Sequence, residues 1–272
     1  MRAISQLLDL HKTWTLITGG AGHVGRASAE TILELGGNVI LADRDITSLN
    51  ELVEHEFNKP FATGRLFILQ VDLADQNQIR HMMDEVSKIT GAILNGLINN
   101  AAFVGTDRLD GWCVPFEEQS ITTFNDCLGV NLSAPFLLSQ QAYELMKNQT
   151  HGPKSIINIS SIYGVVGPKM ELYEGTEMGN PAAYAASKAG LMQLTRWMSA
   201  NVAPAVRVNN IVLGGIERGQ PESFLEKYNA NVPMGRMAKE EDIKGAIAYL
   251  SSELSNYMTG QSLFLDGGWT AV

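Results

Sequence analysis

Residues 15–25 read Thr-Leu-Ile-Thr-Gly-Gly-Ala-Gly-His-Val-Gly, four residues suited to a short apolar strand followed by a glycine-rich turn. Arg26 to Leu35 continues as a helix with Ala27, Ile32 and Leu35 inward, stopped by Gly36-Gly37. Strand, glycine turn and helix is the context that a phosphate-cradling loop requires. Glycine lets the backbone approach closely, and a helix N-terminus offers unpaired N–H groups at the positive end of its dipole. The next strand, Asn38–Ala42, ends at Asp43, about twenty residues beyond the turn, where a carboxylate can take both hydroxyls of an adenosine ribose. That carboxylate repels a 2′-phosphate, so NAD is preferred to NADP, with the adjacent Arg44 as the opposing feature.

The pattern then repeats along the chain. A helix over Ile46–Phe57 precedes a strand at Leu66–Val71 that runs into Asp72-Leu73. A helix over Asp75–Ile89 leads to a strand at Leu94–Ile98, which opens into Asn99-Asn100-Ala101-Ala102. Phe103–Glu118 reads as a polar loop and Ser120–Lys147 as one long helical stretch. Asn131, inside that stretch among Leu128, Val130 and Leu132, is either a packed amide or a working one. A strand at Lys154–Ile159 meets Ser160-Ser161, a helix begins at Pro181, and strands at Val206–Val212 and Leu263–Leu265 flank a helix over Glu240–Ser251. Short apolar strands alternating with helices of ten or more residues specify an α/β, Rossmann-type, doubly wound parallel sheet of about seven strands, covered by helices on both faces. No repeat or linker divides residues 1–272, so a single domain is expected.

Composition narrows the function. Hydrophobic content of 45% and charged content of 18% describe an ordinary globular protein. A net charge of −9 argues against nucleic acid or an anionic membrane as partner, since both call for clustered Lys and Arg. Met1–Trp14 carries Asp9, His11 and Lys12 and does not read as a signal peptide, and no segment approaches the ~18 apolar residues of a membrane span. A cytoplasmic enzyme acting on a small molecule is the expectation. Cys113 and Cys127 make no redox or metal spacing, and the five histidines form no ligand set, so no metal is expected.

Tyr184-Ala185-Ala186-Ser187-Lys188-Ala189-Gly190 places a phenol and an ammonium one helical turn apart on one face. Carrying protons near neutrality means lowering a tyrosine by roughly 3 pKa units, about 4 kcal/mol, and a fixed Lys⁺ is a direct means of doing so. Tyr143 and Lys147 share the spacing, but no serine-ended strand precedes them, and they are read as structural.

Together these landmarks resemble the short-chain dehydrogenase/reductase family over essentially the whole chain. The matching segments are Thr18-Gly19 to Gly25, Asp43, Asp72, Asn99-Asn100-Ala101, Asn131, Ile159-Ser160-Ser161, Tyr184-x-x-x-Lys188, Val208-Asn209 and Thr259-Gly260-Gln261 through Asp266-Gly267-Gly268. The resemblance implies an NAD(P)-dependent alcohol/ketone oxidoreductase. Tyr184 would be the general acid/base, Lys188 would lower its pKa and hold the nicotinamide ribose, Ser161 would bond the substrate oxygen, and Asn131 would position a relay water. It would set Gly19, Gly22, His23, Val24, Gly25, Asp43, Asp72, Leu73, Asn100, Ala101, Tyr184, Lys188, Gly214 and Ile216 against the dinucleotide. It also implies a mobile lid over 214–233 and a homodimer or homotetramer.

Departures from the family pattern are informative. His23 stands where the short form usually has glycine, and reads as a turn residue near the diphosphate. Ala102 and Leu213 replace a usual glycine and proline beside the nicotinamide. The segment between Ser161 and Tyr184 is longer than usual, with an insertion near 168–180 carrying Glu171, Tyr173, Glu174 and Glu177. Its carboxylates suggest a polyhydroxylated or amine-bearing substrate, a sugar or sugar derivative. Tyr173-Glu174-Gly175-Thr176 is similar to a phrase in oxidoreductases of bacterial flagellin and surface-polysaccharide sugar modification. The competing readings are an NADPH-dependent 3-oxoacyl or small-ketone reductase, a non-catalytic dinucleotide sensor, and, from the glycine spacing, a dehydratase or epimerase.

Overall fold

The computed structural model describes all 272 residues. Its strands are β1 (Trp14–Thr18), β2 (Asn38–Asp43), β3 (Leu66–Gln70), β4 (Gly96–Asn99), β5 (Ser155–Ser161), β6 (Arg207–Leu213) and β7 (Ser262–Leu265). All pair in parallel, in the order β3-β2-β1-β4-β5-β6-β7. The helices are α1 (Ile4–Leu8), α2 (His23–Glu34), α3 (Ile46–His55), α4 (Asn58–Ala62), α5 (Gln76–Thr90), α6 (Ile121–Leu128), α7 (Ala134–Met146), α8 (Ala182–Val202), α9 (Glu222–Ala230) and α10 (Glu241–Ser251). This is the single-domain, doubly wound architecture expected, with its seven strands.

A sheet buried on both faces needs apolar side chains at consecutive positions, because neighbours along a strand point to opposite sides. The strands satisfy this in pairs. Ile17, Leu41, Ile98 and Ile157 enter the layer that also holds Ile32 of α2, Leu49 of α3 and Ile247 of α10. Leu16, Ile40, Leu97 and Ile156 enter the layer that holds Ile79 of α5, Leu138 of α7 and Met198 of α8. Strand order reverses between β1 and β4, so the crevice of a doubly wound sheet opens at the C-terminal ends of these strands.

One polar row crosses this apolar sheet. Asn99, Asn158, Asn210 and Ser262 are register partners on β4, β5, β6 and β7. Asn99 Nδ2 donates to Asn158 Oδ1 at 2.8 Å, and Asn158 Nδ2 donates to Thr195 Oγ1 of α8 at 2.7 Å. Thr195 Oγ1 also lies 2.9 Å from Asn210 Oδ1, and Asn210 Nδ2 donates to Ser262 Oγ at 3.3 Å. The row fixes strand register and seats α8 on the sheet.

Three local features differ from the sequence reading. Helix α2 begins at His23 rather than Arg26, because Gly22 serves as its N-cap. Gly25 allows this: a Cβ there would stand 2.2 Å from the Gly19 carbonyl oxygen, so only glycine lets the helix start against its own turn. The long stretch after Ser120 is not one helix. A π-helical turn, Gly129–Ser133, separates α6 from α7. Pro135 has no N–H to give the Asn131 carbonyl, so the ordinary α-helical bond from four residues ahead cannot form there. Finally, α1, α4 and α9 fall in regions for which no helix was expected.

Replacing Thr195 by Val should strand the Asn158 and Asn210 amides in the interior, lowering stability by about 2–4 kcal/mol. Urea unfolding, read as a lower midpoint at unchanged slope, measures this.

Candidate functional site

A cleft of about 430 Å³ opens along the C-terminal strand edge. The β1–α2 turn forms one end. Asn100, just past β4, donates from Nδ2 to the carbonyls of Thr18 and Gly19, each at 3.0 Å. Thr18 Oγ1 in turn accepts the N–H groups of Asn100 and Ala101 at 3.1 and 3.2 Å. The turn is thus stitched to β4. Its N-cap, Gly22, has no side chain to fill the space or satisfy the first-turn N–H groups of α2. Asp43 Oδ2 accepts the Ala21 N–H at 3.1 Å, so a carboxylate is braced beside the turn. An uncapped helix start with an adjacent strand-end carboxylate fits a dinucleotide, the diphosphate against α2 and a ribose at Asp43. Arg44 lies over the Phe103 ring, 5.7 Å from its centroid.

His23 borders the cleft, and its ring pairs with Glu240 just ahead of α10. Arg26 pairs with Glu240 as well, and with Glu56 at 2.7 Å. Burial pushes the Glu240 carboxyl up, but His23 and Arg26 outweigh it and hold the group below its ordinary range. Glu240 as the partner of His23 had no signal in the sequence, since 217 residues separate them.

Tyr184, Lys188, Leu191 and Thr195 recur on one stripe of α8, and Thr195 is held by the polar row. Tyr184 and Lys188 are thereby presented toward the end of β5, where Ser161 stands. Lys188 is 4% exposed, and its ammonium donates to the Ile159 carbonyl at 2.9 Å while lying 5.7 Å from the Tyr184 ring centroid. Ser160 Oγ donates to the Lys188 carbonyl at 3.0 Å, tying strand end to helix. Burial pushes the Tyr184 phenol above its ordinary value, and the Ser161 hydroxyl and Arg218 pull it back only in part. Burial likewise brings the Lys188 ammonium down to about 8. Burial thus acts on both groups in the direction of neutrality.

Most of the residues singled out from sequence border this one cleft: Gly19, Gly22, His23, Val24, Asp43, Asp72, Leu73, Asn100, Ala101, Ser161, Tyr184, Lys188, Gly214 and Ile216. Two do not. Gly25 is spent on the contact between helix and turn described above. Asn131 is 1% exposed and lies behind the wall; its Oδ1 accepts the Phe103 N–H at 2.8 Å, and its Nδ2 meets the Phe103 carbonyl at 3.0 Å and Ser187 Oγ at 3.1 Å. Its side chain is a clamp between the loop after β4 and α8. Tyr143 and Lys147 border neither cleft wall, and Lys147 pairs with Glu144.

The acidic insertion overturns an expectation. Glu171, Glu174 and Glu177 are exposed and none borders the cleft. Glu177 pairs with Arg108 at 3.0 Å and Glu174 with Lys227 at 4.0 Å, both in water. Charge stays solvated while Leu172, Tyr173 and Met178 turn inward. The wall beside Ser161 and Tyr184 consists instead of Tyr163, Tyr173, Met178, Asn180, Phe224 and Tyr228, with Arg218 also on the cleft. All of these but Tyr163 lie within the insertion near 168–180 or the lid over 214–233 that the sequence marked, although the sequence pointed to the insertion's carboxylates rather than to its Tyr163-facing side.

Comparisons with known proteins agree with this geometry. The family model described as enoyl-(acyl carrier protein) reductase matches residues 19–270. The post-translational flagellin modification protein A of Campylobacter coli is 33% identical over 258 residues, covering 93% of this chain and 96% of that protein. The 3-oxoacyl-(acyl-carrier-protein) reductase FabG of Thermotoga maritima is 32% identical over 260 residues, covering 93% and 96%. Among solved structures, a short chain dehydrogenase from Leptospira borgpetersenii with bound NAD+ superposes with a TM-score of 0.84 at 31% identity, covering 99% of this chain and 96% of that one. A gluconate 5-dehydrogenase from Burkholderia cenocepacia, in complex with NADP and tartrate, gives 0.84 at 25% identity, covering 99% and 100%.

The depressed Lys188 has a measurable consequence. Between about pH 8 and the ordinary lysine value, the unfolded chain keeps a proton that the folded one has lost, so stability rises with pH through that window. Relative to Lys188→Met, the wild type should gain about 2–3 kcal/mol between pH 7 and 10. Chemical unfolding of both proteins across that range measures it; a pH-independent difference would contradict a neutralised Lys188.

Proposed function

The chain belongs to the short-chain dehydrogenase/reductase family and is an oxidoreductase, and from that premise we propose that it interconverts a secondary alcohol and a ketone on a sugar or sugar derivative, with NAD. The carrying observation is that Ser161, Tyr184 and Lys188 share one cleft with an uncapped helix start and a ribose-fitting carboxylate. Bound there, the nicotinamide ring supplies or accepts the hydride. The chain's own residues handle the proton. Tyr184 Oη gives it to, or takes it from, the substrate oxygen, and Ser161 Oγ donates a hydrogen bond to that oxygen as negative charge develops. Lys188 uses one N–H on Ile159 and keeps two for the phenolate and a ribose hydroxyl. Because its amide is occupied, a relay through Asn131 would have to use its main-chain carbonyl, to which Pro135 cannot give the usual helical N–H.

Support for a sugar-type substrate comes from the hydroxyl and amide groups of Tyr163, Tyr173 and Asn180 on the wall, and from the likeness to a flagellin modification protein. An NADPH-dependent 3-oxoacyl reductase is the second reading, favoured by the FabG relative. NAD rather than NADP rests on Asp43. Solvent-exposed apolar side chains on α6, α7 and α8, namely Ile121, Phe136 and Trp197, support a homo-oligomer.

Two measurements test this. Tyr184→Phe should lower kcat on any accepted alcohol or ketone by about 10²–10⁴ while leaving NADH binding, read by fluorescence, in place. An unchanged kcat would remove Tyr184 from the proton path. Asp43→Ala should reduce kcat/KM with NAD about 10- to 100-fold, the worth of hydrogen bonds to a charged group, and spare that with NADP. Equal losses with both cofactors would detach the preference from Asp43.

A further inference from the structure

Asn180 stands out among the residues around the cleft. It is 7% exposed, yet neither its Oδ1 nor its Nδ2 has a hydrogen-bond partner in the protein. Buried amides are nearly always paired, because leaving a donor or acceptor unmet forfeits its hydration. Both ends of this one are unmet, and the residue borders the cleft beside Ser161 and Tyr184.

The backbone keeps the amide where it is. Asn180 precedes Pro181, the N-cap of α8, so the helix start limits its freedom on one side. On the other side, the Gly179 N–H donates to the Gly105 carbonyl at 3.2 Å. A Cβ on Gly105 would stand 2.0 Å from the Gly179 carbonyl oxygen, so the two chains touch backbone to backbone. The neighbouring phenols are partly committed to each other, Tyr173 Oη donating to Tyr163 Oη at 2.9 Å. Burial pushes both phenols up, and the Asn180 amide, whose N–H side faces the two phenol oxygens at longer than ordinary hydrogen-bond distance, pulls each of them the other way. An amide closed to water, with neither its donor nor its acceptor in an ordinary hydrogen bond, suits a group that offers both and that enters between it and the two phenols. A hydroxyl does; a hydrocarbon chain offers neither.

We propose that Asn180 is a specificity-determining residue of the substrate end, its amide exchanging hydrogen bonds with a substrate hydroxyl close to the reacting carbon, so that hydroxylated ketones are taken in preference to plain ketones and acyl chains. This rests on the oxidoreductase reading above and deepens it. A site built to bond a hydroxyl rejects the analogue without one strongly, because its own polar atoms are then left bare.

The test compares erythrulose with butanone, which share a four-carbon skeleton and differ in hydroxyl groups, as substrates for NADH-dependent reduction. The wild type should favour erythrulose in kcat/KM by about 100-fold or more. Asn180→Leu should cut that ratio at least about tenfold, and Asn180→Asp, which keeps size and acceptor but loses the donor, should fall between. With its two bare polar atoms gone, Asn180→Leu should also melt at or above the wild-type temperature. A folded Leu variant with an unchanged ratio would overturn the proposal, and so would one melting well below wild type, which would make the amide structural. Tyr184→Phe separates the two readings. Turnover that survives it removes the proton-transfer scheme and leaves the Asn180 ratio to stand or fall alone. Tyr184-dependent turnover with a ratio indifferent to Asn180 removes only the present inference. If neither ketone is reduced, erythrulose should still protect the NADH-loaded wild type, but not Asn180→Leu, from thermal unfolding; no protection counts against the proposal.

Discussion

The bond from Asn158 Nδ2 to Thr195 Oγ1 is the contact on which the arrangement depends. Hydrophobic packing alone does not choose among nearby positions of a helix on a sheet, because apolar contacts have no direction. A buried amide does choose, since a slide of one residue leaves it unpaired. Thr195 sits on the same stripe as Lys188 and Tyr184, and Asn158 sits three residues before Ser161. One hydrogen bond therefore sets the axial position of Tyr184 and Lys188 against the serine. The neighbouring members of the row, Asn99 and Asn210, hold the strands in the register that makes this meaningful.

The electrostatics of the site follow from depth. Lys188 is buried and Tyr184 half-buried, and each by itself moves toward its neutral form. A phenol and an amine that resist charge separately can still share it, because the phenolate and ammonium stabilise one another strongly where little solvent screens them. The unloaded protein thus holds the pair in an unfavourable environment that a polar, charged occupant of the cleft relieves. This is a local conflict of the kind that functional sites carry and that a purely structural helix face, such as that of Tyr143 and Lys147, does not.

Much of this was legible in the sequence, for a physical reason. The turn, Asp43, Asn100, Ser161 and the Tyr184–Lys188 pair all lie at strand ends or on one helix face, and strand and helix periodicities are local properties. What stayed hidden depended on which way side chains face when no period governs them. Glu171, Glu174 and Glu177 read as a substrate wall but solvate outward, leaving Tyr173 and Asn180 inside. Asn131 read as either packed or working, and its amide is packed. The pairing of His23 with Glu240 spans most of the chain and has no local signature at all.

The segment between Ser161 and Tyr184 is anchored at both ends. After Ser161 the chain turns through Ile162–Gly164 and packs on the α8 backbone, and before Pro181 it is pinned by Gly179 to Gly105. Everything between hangs from two fixed posts, with its charges in water. A change of length between the two posts would redraw the wall while leaving Ser161 and Tyr184 held by their own strand and helix. In evolutionary terms the loop is a replaceable part: descendants of one scaffold can exchange substrates through changes in its length, without reinventing the chemistry beneath it.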